Sequence, residues 1–168
     1  MSDYTTSAAR LGLGTLVELG QNDADPLASP PTLETFLSVG EVTDVAKSGA
    51  KSDTPDVTNH QSPDGFREFI SGLKEAGEVQ VSGNWVDPSI SPPDNFCTQE
   101  VVESLFNSGE KRNWKIVVPP AAGEVDSPGY FSFKAIVNSF GDSNFGTDKQ
   151  INYSFKLKIS GKYTYNAA

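Results

Sequence analysis

His60 is the one histidine in the 168 residues, and Cys97 is the one cysteine. Ser/His/Asp and Cys/His catalysis both need an imidazole to carry the proton, so either would run through His60. That residue lies in "DVTNHQSPDG", a stretch of turn formers, and reads as a solvated loop histidine. Cys97 stands beside a predicted helix start, where a helix dipole lowers a thiol pKa. Its neighbour Phe96 favours the plainer reading of a small buried filler. One His and one Cys cannot build a zinc site. Asp53, Asp56 and Asp64 carry oxygen ligands for calcium, but their spacing is not that of an EF-hand. Asp23 and Asp25 read as turn formers. "GLGTL" and "SGLKEAG" match neither the P-loop nor the dinucleotide fingerprint, and the N-x-S sequon at Asn152 falls inside a predicted strand. The sequence therefore predicts no enzyme, no cofactor and no metal.

Composition narrows the class further. Apolar residues make up 36% and aromatics 10%, the profile of a chain with a folded core. Fifteen glycines and eleven prolines suit a β-rich fold with many turns. A single cysteine excludes an internal disulfide and fits a reducing compartment. "MSDYTTSAAR" lacks a basic region followed by an apolar core, so no signal peptide is expected. No apolar run approaches the ~18 residues of a membrane span.

The net charge of −9 is unevenly spread. Residues 1–110 carry 18 acids against 5 bases, a balance of −13, and residues 111–168 carry 4 against 8, a balance of +4. Such a chain is a poor nucleic-acid gripper, because phosphate neutralisation needs clustered Lys and Arg. The polarity suits attraction between copies, acidic part to basic part. Ordinary solvated surface explains the same charges.

The elements that must position these residues are mostly strands. "RLGLGTLVEL" places Leu11, Leu13, Val17 and Leu19 on one parity. "LETFLSVGEVTDV" reads as one strand, apolar on both faces, with Leu37, Val39 and Val45 opposite Phe36 and Val42. Further strands are predicted over residues 78–86, over "NWKIVV" and over "YFSFKAIV". The last, residues 151–163, alternates Ile151, Tyr153, Phe155, Leu157, Ile159 and Tyr163 with polar or cationic residues. "NSFGDSNFGTDK" reads as an extended hairpin loop. One helix is predicted over 98–108, capped by Thr98 and ended by Gly109. The expected fold is mainly β: an antiparallel sandwich or partial barrel with one flanking α-helix. Leu37, Val39, Val79, Val81, Trp85, Leu105, Phe106, Ile116, Phe133, Phe155 and Leu157 form the expected core.

Between the second and third strands lies a long polar approach, "AKSGAKSDTPDVTNHQSPDG". Long structureless loops are uncommon in compact domains and are usually functional or disordered. It leads into "HQSPDGFREFISGLKEAGEVQVSGNWVDP", where a second helix is predicted. Ser62 suits the cap and Pro63 the first turn. Phe66, Phe69, Ile70 and Leu73 then fall at i, i+3, i+4 and i+7. Gly77 ends the run, and the period drops to two.

Several of these phrases together resemble the major tail tube protein of long-tailed bacteriophages, the lambda-like siphophage type. "TNHQSPDGFREFISGLKEAGEVQVSGNWVDP", residues 58–88, carries most of the likeness. "LFNSGEKRNWKIVVP" resembles the family's helix end and following strand. "FKAIVNSFGDSN" with "INYSFKLKISGK" resembles its closing hairpin. The chain departs at Ser71, where many relatives are expected to carry proline, and in lacking an appended immunoglobulin-like domain.

The resemblance implies a single tail-tube domain over 1–168, with an N-terminal arm at about 1–10 and a long inter-ring loop at about 47–77. It implies six copies in a ring, and rings stacked into a tube that conducts genomic DNA into the host. Implied partners are other copies of the chain, a tape measure protein inside the tube, and terminator and baseplate proteins at its ends, without membrane insertion. The implied location is the virion tail, after assembly in the bacterial cytoplasm. A tail terminator, a baseplate hub component or a type VI secretion-like tube protein is the alternative within the same fold. A carbohydrate-binding or hydrolytic β-sandwich is the alternative outside it.

Phe66, Arg67, Glu68, Phe69, Ile70, Leu73 and Lys74 are the expected ring interface. The polar half of the loop cannot bury enough apolar surface to offset its ordering entropy. The segment is therefore expected to be mobile in the free subunit and ordered in the tube. A channel wall that is negative or neutral is also expected, with Lys156, Lys158 and Lys162 turned toward subunit or ring contacts.

Overall fold

A computed structural model of the chain describes residues 14–22, 27, 33–87, 89, 96–120 and 129–167. The expected N-terminal arm at 1–10, and Leu11 and Leu13, lie outside these residues.

Alternating apolar residues generate most of the sheet. Its hydrogen-bonded path begins with β3 (Val42–Ser48), β6 (Glu78–Asn84), β10 (Asn152–Ile159) and β9 (Gly129–Ser143). It continues through β8 (Arg112–Val118), β1 (Leu16–Gly20), β2 (Phe36–Val39) and β7 (Phe96–Cys97). All pairs on this path are antiparallel except β2 with β7. A further strand, β11 (Thr164–Asn166), pairs with β9. β4 (Lys51–Ser52) and β5 (Lys74–Glu75) form a separate two-stranded ladder.

β3, at one end of the path, directly follows β2 in the chain, and β2 lies one strand from the other end. β2 and β3 are separated only by Gly40 and Glu41, so the sheet must curl until its ends meet. Three bonds fasten that corner. The Gly40 amide donates to the Cys97 carbonyl at 3.1 Å, and the Asn84 amide donates to the Glu41 carbonyl at 3.0 Å. The Tyr153 hydroxyl donates to the Gly40 carbonyl at 2.7 Å. Glu41 turns through a left-handed φ of 52°. This corrects the single strand expected over "LETFLSVGEVTDV", which is two strands: β3 at one edge of the sheet, and β2 near the other, inside β7. Gly40 and the polar Glu41 supply a turn that a tally of apolar residues passes over.

The core lies inside the curl. Val17, Leu19, Val79, Val81, Phe155 and Leu157 are buried with Trp114, Ile116 and Phe133. The Trp114 and Phe155 rings lie 5.9 Å apart and close the centre. Leu37 is partly buried against this cluster, and Trp85 is half-buried. α1 (Gln99–Ser108) packs on β9 through Val102 and Leu105. Thr98 stands at its N-cap without a side-chain cap bond, and Gly109 ends it in the left-handed region. Buried Gln99 donates to the Val86 carbonyl at 2.5 Å and accepts from the Val86 amide at 3.3 Å, which pins the helix start.

Phe106 does not join the core, in contrast to the expectation; it is 41% exposed. The helix turns one narrow stripe to the sheet, Gln99–Val102–Leu105, and Phe106 lies a further ~100° around the axis. The last expected strand is also divided. β10 stops at Ile159, Gly161 turns with φ 90°, and β11 resumes alongside β9.

Candidate inter-subunit contact site

Residues 47–77 form an arm, not a loop and helix. β4 and β5 pair Lys51 with Glu75 and Ser52 with Lys74. The ladder continues outward through Asp53 N–H to Leu73 at 2.9 Å, Gly72 N–H to Asp53 at 2.7 Å and Ile70 N–H to Pro55 at 3.1 Å. Val57 N–H to Glu68 at 2.9 Å and an Asp56–Phe69 bridge follow. The polar half and the apolar half of the segment are thus the two legs of one hairpin.

The tip is built from side chains that substitute for strand bonds. Thr58 donates its amide and its hydroxyl to Asp56, and its oxygen accepts from the Glu68 amide at 2.9 Å. These bonds hold the Asp56 carboxyl below the usual carboxylate range, chiefly through the Thr58 hydroxyl. Asn59 and Ser62 exchange bonds across the turn, and the Ser62 hydroxyl donates to Glu68 at 2.6 Å. His60 sits exposed in this turn. Only residues Pro63–Gly65 are helical, as a single 3-10 turn whose Asp64 takes a left-handed φ of 54°.

The helix expected after Ser62 is therefore a correction. Its stripe is present in the sequence, but the opposite leg offers partners for its backbone. Gly65 and Gly72 each weaken a helix by about 1 kcal/mol. A two-stranded ribbon without a third layer covers neither face. Phe66 is 74% exposed, Phe69 56%, Ile70 53% and Leu73 84%. Of the other expected interface residues, Arg67 lies 3.9 Å from Asp56 along the arm, Glu68 is tied to the tip, and Lys74 is in β5.

The root of the arm carries residues whose part in it was not expected from the sequence. Both legs leave the barrel at a left-handed glycine, Gly49 with φ 81° and Gly77 with φ 91°. A Cβ on Gly77 would stand 2.1 Å from the Ser48 carbonyl oxygen, so glycine is required there. The spacing of these glycines just outside the two legs was the available signal. Glu75 accepts from Lys158 of β10 and lies 3.2 Å from Lys51 of the opposite leg. Lys158 above all, then Lys51, hold the Glu75 carboxyl below its ordinary range. Glu75 in turn raises the Lys158 pKa. Beside this junction is Tyr163, with the Lys47 ammonium 3.2 Å from its ring centre.

Burial pushes the Cys97 thiol up to about 12, which marks it as a packing residue. Asp53 and Asp56 lie along one leg of the arm while Asp64 sits at its tip, and no group of three metal-ligating side chains converges among the described residues.

What the architecture presents, then, is a curled β wall with an apolar arm projecting from it, the design of a subunit that assembles with others. The comparisons specify which assembly. A sequence model described as lambda phage tail tube protein matches residues 19–166, and the chain belongs to that family. It is thus a structural subunit of a phage tail tube. No curated protein matches it in sequence.

Solved structures share its fold. A chain in the tail of an empty gene transfer agent particle, refined with C6 symmetry, superposes with a TM-score of 0.64 at 18% identity, covering 95% of this chain and 100% of that one. The SPP1 tail tube gives 0.58 at 15%, covering 95% and 80%. The tube-terminating cap of the anti-feeding prophage gives 0.61 at 14%, covering 100% of both chains.

Proposed function

We propose that the chain acts as one tail-tube domain whose copies form hexameric rings, and that the arm of residues 47–77 stacks one ring on the next. The observation that carries this is the arm itself: four large apolar side chains held outside the core by a hydrogen-bonded ribbon. Burying each contributes about 1.5–3 kcal/mol, and the contact repeats around the ring. Arg67, Glu68 and Lys74 fix the register at its edge. The arm is mobile in the free subunit and stiffens on contact, because a lone two-stranded hairpin is marginal in water.

On this reading the stacked rings enclose a channel that holds a tape measure protein and later conducts genomic DNA. Terminator and baseplate proteins close its ends, and assembly takes place in the bacterial cytoplasm. The subunit's role is mechanical, without a catalysed reaction. Lys158 supports a channel wall that does not grip DNA, because its charge is engaged by Glu75 and by Glu78 at 3.8 Å.

The test is an excision of residues 53–73, with Ser52 joined to Lys74 by an Asn-Gly turn. Ser52 and Lys74 are already paired, so the closure is compatible with the ladder. The expected product keeps the β circular-dichroism spectrum, sediments as monomer and forms no tubes in negative stain. Normal tubes from this variant would remove the arm from the assembly mechanism.

A further inference from the structure

The root of the arm holds an open depression of about 890 Å³. Ala50, Ala76 and Tyr163 line it together with three lysines, Lys51, Lys74 and Lys162, and one acid, Glu75. Lys51 is paired with Glu75. Lys74 and Lys162 have no ion pair among the described residues. The Tyr163 ring is fixed in place by Lys47 and lies 6.5 Å from the ring of Phe131.

The far end of the arm has the opposite character. Residues 56–68 carry three acids, Asp56, Asp64 and Glu68, against one base, Arg67. At their end stands Phe66, just past the left-handed turn at Asp64 and Gly65. The arm is thus acidic with an aromatic knob at its tip, and basic with an apolar hollow at its root.

We propose that the depression is the socket for the arm tip of a second copy of this chain, with Phe66 packing on Ala50, Ala76 and Tyr163 while Lys74 and Lys162 face the acids of the tip. This rests on the arm being the assembly element, and adds where it docks. The subunit's own tip cannot fill the socket. Six residues, 53–58, separate Ser52 from the turn at Asn59, roughly 20 Å at the rise of an extended chain. Folding back would break the ladder from Asp53–Leu73 outward. The contact joins two different surfaces, so it leaves a free tip at one end and a free socket at the other. Opposite charges at the two ends favour tip-to-socket encounter and oppose tip-to-tip and socket-to-socket encounter.

The test uses the full chain with benzoylphenylalanine at position 66, photolysed after tube assembly and mapped by mass spectrometry. Crosslinks to peptides containing residues 50–52 or 161–163 of another copy are expected. Crosslinks from assembled tubes to any other surface overturn the socket while leaving the arm as the assembly element. A second variant, Tyr163→Ala with Lys162→Glu, leaves the arm unaltered. It should keep the native circular-dichroism spectrum and raise the critical concentration for assembly roughly tenfold or more. Assembly at the unaltered critical concentration overturns the socket even if the arm excision abolishes tubes. Normal tubes from the arm excision overturn both readings together.

Discussion

Glu75 of the arm and Lys158 of the barrel wall form a hydrogen-bonded ion pair across the junction between the two. No other ion pair links the arm to β10 among the described residues. Because Glu75 also reaches Lys51, one carboxylate ties both legs of the hairpin to the wall.

The angle of the arm should therefore depend on pH in a defined way. The folded Glu75 pKa is depressed, so its contribution is present above the ordinary carboxylate range and is lost as pH falls through the depressed value. The folded Lys158 pKa is raised, so its contribution is present below the ordinary lysine range and is lost as pH rises through the raised value. Between those limits the pair is intact. The protection factors of the amides of residues 51–53 and 73–75, followed by NMR from pH 7 down to 3, should fall in acid. A Glu75→Gln variant should show low protection at both ends of the range and no such step.

Substitutions at the two root glycines should differ in severity. Gly49→Ala meets only an ordinary contact, 3.7 Å from the Gly77 Cα, and incurs left-handed strain of about 1–2 kcal/mol. Gly77→Ala adds a methyl 2.1 Å from a carbonyl oxygen, so backbone must shift as well. Urea denaturation should rank Gly77→Ala below Gly49→Ala. Equal midpoints would mean that the crossing of the legs is looser than the geometry described above.

Two phenylalanines test where the core ends. Phe155 is 1% exposed between Trp114 and Tyr153, so Phe155→Ala should cost about 3–5 kcal/mol. Phe106→Ser lies outside the helix stripe and should cost under about 1 kcal/mol. A loss below about 1 kcal/mol for Phe155→Ala would place that ring outside the core.

Cys97 should resist thiol reagents in the folded chain. At pH 8 a thiol raised to about 12 has almost no thiolate. Ellman's reagent should react only after denaturation. Rapid stoichiometric labelling of the native protein would show that β7 opens.

Strands that alternate cleanly were legible in the sequence, because one buried face imposes a period of two. "INYSFKLKI" and "NWKIVV" became β10 and β8. The α1 helix was legible from Gly109 and its apolar pairs, although which residues faced the sheet was not. Val102 is buried and Phe106 is not, because the stripe Gln99–Val102–Leu105 is the one turned to the sheet. The arm was misread because Phe66, Phe69, Ile70 and Leu73 satisfy helical spacing by chance of composition. Their partner strand is the polar leg, whose Asp56, Thr58 and Asn59 side chains supply turn bonds without hydrophobic alternation. The division at Gly40 and Glu41 was hidden for a related reason: both flanking strands are apolar, and only long-range pairing separates them.

The sheet order also fixes when the wall can be completed during translation. The β3–β6 pair meets the rest of the sheet through β10, which lies between β6 and β9. On the ribosome, β3 and β6 emerge some seventy residues ahead of the strand that must join them to β9, so their apolar faces wait unsheltered while β7, α1, β8 and β9 are made. Non-local pairing of this kind is slow and leaves strand edges open. Residues 152–159 thus act as a late keystone, and a nascent chain that stalls before them carries two half-walls and an apolar hairpin, a natural client for a chaperone.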